Sequence, residues 1–251
     1  MKASRIKEIA DYISQYEQVQ LETLAQVFEV SIYTIRRDID ELAKKGMVKK
    51  NYGGVSINKE GSELIDFQDR NTVLKTEKKN ISKCAASLIE DGDIVYIDGG
   101  TTTLYMPDYF DGKQITVVTN NIFVILKVLR MDHIKLIVLG GELDRRANSI
   151  TGLSTIESMK NMNITKAFIS TTGVSKDFQV TNYTAVEAEL KRSCMEKSNH
   201  CYLLADHTKF GHASLVSYAK LEDFDGVVTD EGLSGPYQDY LYEHQIKVHC
   251  E

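Results

Sequence analysis

A chain of 251 residues, 42% hydrophobic and 26% charged, is long enough for a small domain joined to a larger one. No apolar run approaches the roughly 18 residues that span a bilayer. Lys2, Arg5 and Lys7 have no apolar core behind them, so a secretory signal is not expected and the cytoplasm is. The net charge of −6 would suit no DNA-binding protein if it were evenly spread, but Ser31 to Tyr52 holds six basic residues against three acidic ones.

Ile6, Ile9, Ala10, Ile13 and Tyr16 recur at helical spacing and predict a helix from about Lys2 to Tyr16. A polar break, Glu17 to Gln20, precedes a shorter helix marked by Leu21, Leu24, Ala25 and Phe28. Glu29-Val30 forms a turn, and Ser31 is a good N-cap for a third helix, which Gly46 ends. This helix sets Ile32, Ile35, Ile39, Leu42 and Ala43 on one side, with Tyr33, Arg36, Arg37, Asp40 and Lys44 on the other. A recognition helix enters the major groove with such residues near its start. Arg36 and Arg37 can pair with guanine edges or phosphates, while Tyr33 and Thr34 reach phosphates or a thymine methyl.

A three-helix unit with a solvated charged face would look the same up to Gly46. Residues 47–52 then read as a strand, Gly53-Gly54 as a turn and residues 55–57 as the return strand. A basic hairpin directly after the helix is a wing, with Lys49, Lys50 and Tyr52 placed on the DNA backbone. The residues expected at double-stranded operator DNA are Ser31, Tyr33, Thr34, Arg36, Arg37, Lys44, Lys49, Lys50 and Tyr52, within a winged helix-turn-helix over residues 1–57.

The run from Val30 to Leu42, above all Thr34-Ile35-Arg36-Arg37-Asp38, resembles the recognition helix of the DeoR family of bacterial sugar-metabolism repressors. Tyr52-Gly53-Gly54-Val55 is similar to that family's His-Gly-Gly-Ala wing, with tyrosine in place of histidine. Asp38 is expected to be structural, bracing Arg36 or a wing lysine, because a carboxylate facing phosphates would repel them.

Residues 58–75 are polar and read as a linker, followed by a helix through Ile81, Ala85, Leu88 and Ile89. Apolar runs at 94–97, 115–119, 136–139, 167–170, 201–204 and 226–229 then alternate with helical patterns at 122–129, 153–162 and 185–195. That alternation predicts an α/β domain with a mainly parallel sheet over residues 76–251. Ligands of such sheets bind at the carboxyl ends of strands. Three strand ends have suitable chemistry. Asp98-Gly99-Gly100-Thr101-Thr102-Thr103 precedes an expected helix, whose free amides and threonine hydroxyls can hold an anion. Thr119-Asn120-Asn121 can satisfy sugar hydroxyls, and Gly140-Gly141-Glu142 ends the third strand. Each alone is an ordinary chain-turning loop; three in succession are more.

These stretches, with Glu187 to Arg192 and Leu204 to Gly211, also resemble the DeoR effector half, which is similar in fold to ribose-phosphate isomerases and CoA transferases. The resemblance implies a phosphorylated sugar or related metabolite as effector and a homo-oligomer, dimer or tetramer, that releases its operator. Its implied contacts are Asp98, Gly100, Thr101, Thr102, Thr103, Thr119, Asn120, Gly141, Glu142, Thr172, Glu187 and Lys209, with the glycine-threonine loop on the phosphate and Lys209 adding charge. Where the family often has Gly-Ala-Asp-Gly, this chain has Ser170-Thr171-Thr172-Gly173, which points to an unusual effector.

Rival readings are weaker. Asp98, Glu187, Asp206 and Lys209 could supply acid-base chemistry to a sugar-phosphate isomerase, but an attached DNA module makes sensing more useful than turnover. His200, Cys201, His207 and His212 suggest a metal, yet His200 and Cys201 alternate along a strand and point to opposite faces. Cys84, Cys194, Cys201 and Cys250 form no CxxC pair. No catalytic residue, metal or cofactor is assigned, and an activator of the same architecture differs only in where its operator lies.

Overall fold

The chain forms two units, the first with one core and the second with a core on each face of its sheet. The computed structural model describes residues 2–16, 18–44, 48–57, 67–230, 233 and 235–250. Its contacts divide into residues 1–75 and residues 76–251.

The first unit runs α1 (Lys2–Tyr16), β1 (Gln18–Gln20), α2 (Leu21–Val27), α3 (Ile32–Lys44), β2 (Val48–Asn51), β3 (Gly54–Ile57) and α4 (Phe67–Thr72). Its core is the predicted set of stripes: Ile6, Ile9 and Ile13 of α1, Leu24 of α2, and Ile35, Ile39 and Leu42 of α3, closed by Val48 and Val55. Ser31 caps α3, its Oγ accepting from the Thr34 amide at 3.2 Å. β2 and β3 pair antiparallel around Tyr52 and Gly53, and the turn needs Gly53 at φ +75°.

Two expectations change here. The polar break contains β1, which pairs with β3 and makes the sheet three-stranded in the order β1-β3-β2. Val19 is the buried residue between two exposed glutamines, so a single apolar side chain carries the alternation. The stretch expected to be linker contains α4: Phe67 is fully buried, and the Leu74 amide donates to Asp11 Oδ1 at 3.4 Å. Residues 58–66 of that stretch, and Gly46, lie outside the described residues.

After α5 (Lys75–Ser87), the second unit alternates strand and helix as β4 (Ile94–Ile97), β5 (Thr116–Thr119), α6 (Ile122–Val128), β6 (Lys135–Val138), β7 (Glu142–Asp144), β8 (Ser149–Thr151), α7 (Leu153–Lys160), β9 (Ile164–Ser170), β10 (Gly173–Val174), β11 (Gln179–Asn182), α8 (Ala185–Glu196), β12 (Ser198–Leu204), β13 (Val216–Lys220), β14 (Gly226–Thr229), α9 (Pro236–Glu243) and β15 (Lys247–Cys250). Seven strands form one parallel sheet in the order β15-β14-β12-β9-β4-β5-β6. Alternate residues feed opposite cores: Val95, Ile97, Val117 and Phe168 pack with α5 and α6, while Tyr96, Val118, Ala167 and Ile169 pack with α7 and α8. Burial on both faces makes these strands read as continuous apolar runs. The helix expected to follow Thr103 is instead a 3-10 helix, Thr103–Tyr109, containing Pro107, which lacks the N–H an α-helix would use.

The strand order places the topological switch between β4 and β9. From β4 the chain builds outward through β5 and β6, and from β9 it builds the other way through β12, β14 and β15. An open parallel sheet has its crevice at the carboxyl ends of such a pair.

Candidate functional site

On α3 the helical period sorts polar from apolar side chains. Ile35, Ile39 and Leu42 are inside; Tyr33 (75% exposed), Arg36 and Arg37 face out, and Thr34 is half-buried. Ser31 and Thr34 are also joined through their hydroxyls at 2.9 Å, so their first task is to fix the helix start. On the wing, Lys49, Lys50 and Tyr52 are all exposed. Lys50 forms an ion pair with Asp40 of α3, so the wing is tied to the helix it follows. The side chain of Lys44 lies outside the described residues.

Asp38 does not brace Arg36 or a wing lysine. It is 1% exposed, and its Oδ2 accepts from Arg5 Nε of α1 at 2.8 Å. Position 38 falls on the inward side of α3 beside Ile35 and Leu42, which turns the carboxylate away from solvent and toward α1.

At the sheet's switch point, Asp98 follows β4 and Ser170 ends β9. The Ser170 amide and hydroxyl donate to Asp98 Oδ2 at 3.1 and 2.5 Å. Lys191 of α8 donates to the same oxygen at 2.5 Å and to the Ser170 carbonyl at 2.8 Å. The ion pair is nearly dry, with side-chain exposures of 6% and 4%. Tyr218 donates to the Ser170 carbonyl at 3.3 Å. A Cβ on Gly100 would lie 1.9 Å from Ser170 Oγ, so only glycine lets the loop pass. Gly100→Ala is therefore expected to cost about 1–3 kcal/mol through overpacking, read as a lowered melting temperature by circular dichroism.

Four residues expected on the ligand turn inward. Asp98 is committed to Lys191 and Ser170. Thr103 is fully buried and donates to the carbonyls of Asp98 and Gly100 at 2.8 and 3.0 Å. Thr119 donates to the Ile97 carbonyl at 2.6 Å and accepts from the Asn121 amide at 3.0 Å. Asn120 accepts from Tyr96 Oη at 3.0 Å and donates to the Ile150 carbonyl at 2.9 Å. Each satisfies a buried backbone or side-chain group, and that is the physical reason it faces the protein.

The others surround the same end of the sheet. Thr101 and Thr102 are largely covered, and the Thr102 carbonyl accepts from Ser82 of α5 at 2.5 Å. Among the described residues, the amides of Gly99, Gly100, Thr101 and Thr102 have no acceptor. Gly141 has no room for a Cβ, which would lie 2.2 Å from Thr155 Oγ1. Glu142 is exposed at the start of β7. Thr172 donates to Asn182 Oδ1 at 3.0 Å, Asn182 Nδ2 donates to Glu187 Oε2 at 2.8 Å, and Thr184 Oγ1 donates to the same oxygen at 3.0 Å. Lys209 is half-buried in the 3-10 turn after β12. Burial pushes the neighbouring Asp206 carboxyl up, but Lys209, Lys78, Thr208 and His207 outweigh it and hold the group below its ordinary value.

Lys78, Asn182 and Lys191 were not singled out from sequence. Lys191 lies on the apolar stripe of α8 with Ala188 and Cys194, and Lys78 on that of α5 with Ile81, Ser82 and Ala85. A lysine in an apolar stripe was the available signal, since such a charge must find a partner.

Comparison with known proteins covers both units. The DeoR-like helix-turn-helix domain matches residues 5–61 and the DeoR C-terminal sensor domain residues 74–231. The HTH-type transcriptional regulator IolR of Bacillus subtilis is 39% identical over 99% of each chain. The glycerol-3-phosphate regulon repressor of Escherichia coli is 28% identical over 98% of each. Among solved structures, ribose 5-phosphate isomerase A of Methanocaldococcus jannaschii aligns over 54% of each chain at 12% identity and a TM-score of 0.40.

Proposed function

The chain belongs to the DeoR family of DNA-binding transcriptional regulators, and we propose that it represses a carbohydrate-utilisation operon until a phosphorylated sugar or related metabolite binds its sensor domain. A regulon repressor among its relatives supports the sign, and the naming of those relatives as regulators favours sensing over catalysis. No helix among the described residues is long and apolar enough to cross a membrane, and a role on operator DNA supports a cytoplasmic location.

The observation that carries the effector reading is the 99–102 loop at the switch point, whose four amides have no acceptor among the described residues. Successive unpaired backbone donors in one loop can form an anion site. Lys209 adds charge from the end of β12, and the Thr172-Asn182-Glu187 chain offers hydroxyl contacts from the end of β9. In this reading the protein is a homo-oligomer, dimer or tetramer, on paired half-sites, and the effector binds the DNA-competent state more weakly than the released one.

A thermal-shift screen of pentose and hexose phosphates identifies the effector, since a ligand of the folded state raises the melting temperature. With that compound, Lys209→Ala is expected to weaken the effector response about 10- to 100-fold, the worth of one charge-assisted hydrogen bond. Operator affinity, measured by fluorescence anisotropy, should be unchanged. A normal response from Lys209→Ala would place the pocket elsewhere.

A further inference from the structure

The residues so far assigned to the effector leave one organised pair unused. His207 follows the carboxyl end of β12 and Asp230 that of β14, its parallel neighbour. Asp230 holds His207 at two points: the His207 amide donates to Oδ1 at 2.7 Å, and ring Nδ1 lies 2.6 Å from Oδ2. Asp230 is 8% exposed and takes a further hydrogen bond from Thr229 Oγ1 at 3.3 Å. The imidazole itself stays 30% exposed, and among the described residues its Nε2 has no protein partner. A carboxylate on one ring nitrogen fixes the ring's orientation and directs the other nitrogen, which donates when the ring is protonated and accepts when it is neutral. The Asp230 hydrogen bond raises the His207 pKa above its ordinary value; burial opposes it, while the charges of Asp230, Asp206 and Glu77 add to it.

The surrounding charges make this proton count. Asp230 stands at the end of β14, Asp206 at the end of β12, and Glu77 on α5; Lys209 of the 3-10 turn and Lys78 of α5 act on the same Asp206. With His207 protonated, the three cations named here match the three named carboxylates in charge. With His207 neutral, these groups carry one net negative charge, which repels an anion.

We propose that His207, clamped by Asp230, is the switchable cation of the effector site, donating Nε2–H to a dianionic group of the ligand and setting by its proton whether the site accepts one. This rests on the anionic-effector reading above and adds to it a pH dependence. Effector response is strongest where both the ligand's phosphate has lost its second proton and His207 has kept its own.

Sulfate separates the two titrations, because it stays a dianion where a phosphate monoester, with its second pKa of about 6, does not. Sulfate affinity is read by thermal shift at constant ionic strength from about pH 6 to pH 9, the range that spans a raised histidine pKa. The full-length wild-type protein is expected to lose about tenfold in affinity across that range, as one charge-assisted hydrogen bond is lost. His207→Gln should be flat, at the wild type's high-pH level. Asp230→Asn keeps the imidazole but removes its clamp and should move the midpoint to lower pH. His207→Asn provides a second neutral replacement should glutamine perturb folding, judged by melting without sulfate. Identical profiles for the wild type and a folded His207 variant, or a wild-type affinity that does not change with pH, would overturn the proposal. Lys209→Ala keeps the two readings apart. If it weakens sulfate binding while His207→Gln leaves the profile intact, only the role of His207 fails. If it binds sulfate like the wild type, or if the wild type binds none, the anion site itself is misplaced and the proposal falls with it.

Discussion

Replacing Arg36 and Arg37 together with alanine is expected to weaken operator binding about a hundredfold or more while leaving the fold and the sensor domain intact. Both side chains stand exposed near the start of α3, and neither belongs to the core of Ile35, Ile39 and Leu42. An arginine paired with a base edge is worth roughly 1–3 kcal/mol, and one on a phosphate adds close to one unit of salt dependence. Anisotropy titrations at several salt concentrations distinguish the two roles. A loss specific to the operator marks base reading, whereas a uniform loss with a shallower salt slope marks phosphate contact. Lys50→Ala should cost far less, because Asp40 already neutralises that lysine. A double alanine variant that binds the operator normally would remove α3 from the groove.

Much of this architecture can be read from sequence because the fold uses strong periodic signals. The stripes of α1 and α3 repeat over many turns, and the parallel strands, buried on both faces, appear as unbroken apolar runs. What escapes has too few residues to show a period or depends on distant partners. β1 has one buried residue in three, and α4 is anchored by Phe67 within a polar stretch. Asp38 finds Arg5 across 33 positions, and Lys191 finds Asp98 across 93. No local pattern specifies such pairings, so the bonds by which Asp98, Thr103, Thr119 and Asn120 hold the protein's own groups cannot be read from sequence.

The largest stability loss is expected from Lys191→Ala. The variant leaves Asp98 buried, with Ser170 as its remaining close donor. Removing one partner of a buried ion pair costs about 3–5 kcal/mol, because the survivor keeps its desolvation penalty without its attraction. For a unit of this size each kcal/mol lowers the melting temperature by roughly 2–4 °C, so a fall on the order of 10 °C follows. Because Asp98 and Ser170 stand at the carboxyl ends of the two strands of the switch point, the effector response should fail along with stability. Asp98→Asn combined with Lys191→Met removes both charges and should recover part of the melting temperature without restoring the response. A single Lys191→Ala variant that melts like the wild type would show that the pair is not structural.

Asp38 gives the recognition helix a division of labour with evolutionary weight. Within Thr34-Ile35-Arg36-Arg37-Asp38, the most recognisable run in the first unit, Ile35 and Asp38 answer to the core and to Arg5, while Arg36 and Arg37 answer only to what lies outside. Selection for a stable fold and selection for a given operator therefore act on different letters of one short word. Exchanging the outward letters can therefore change what the helix reads without disturbing the packing that the inward ones supply.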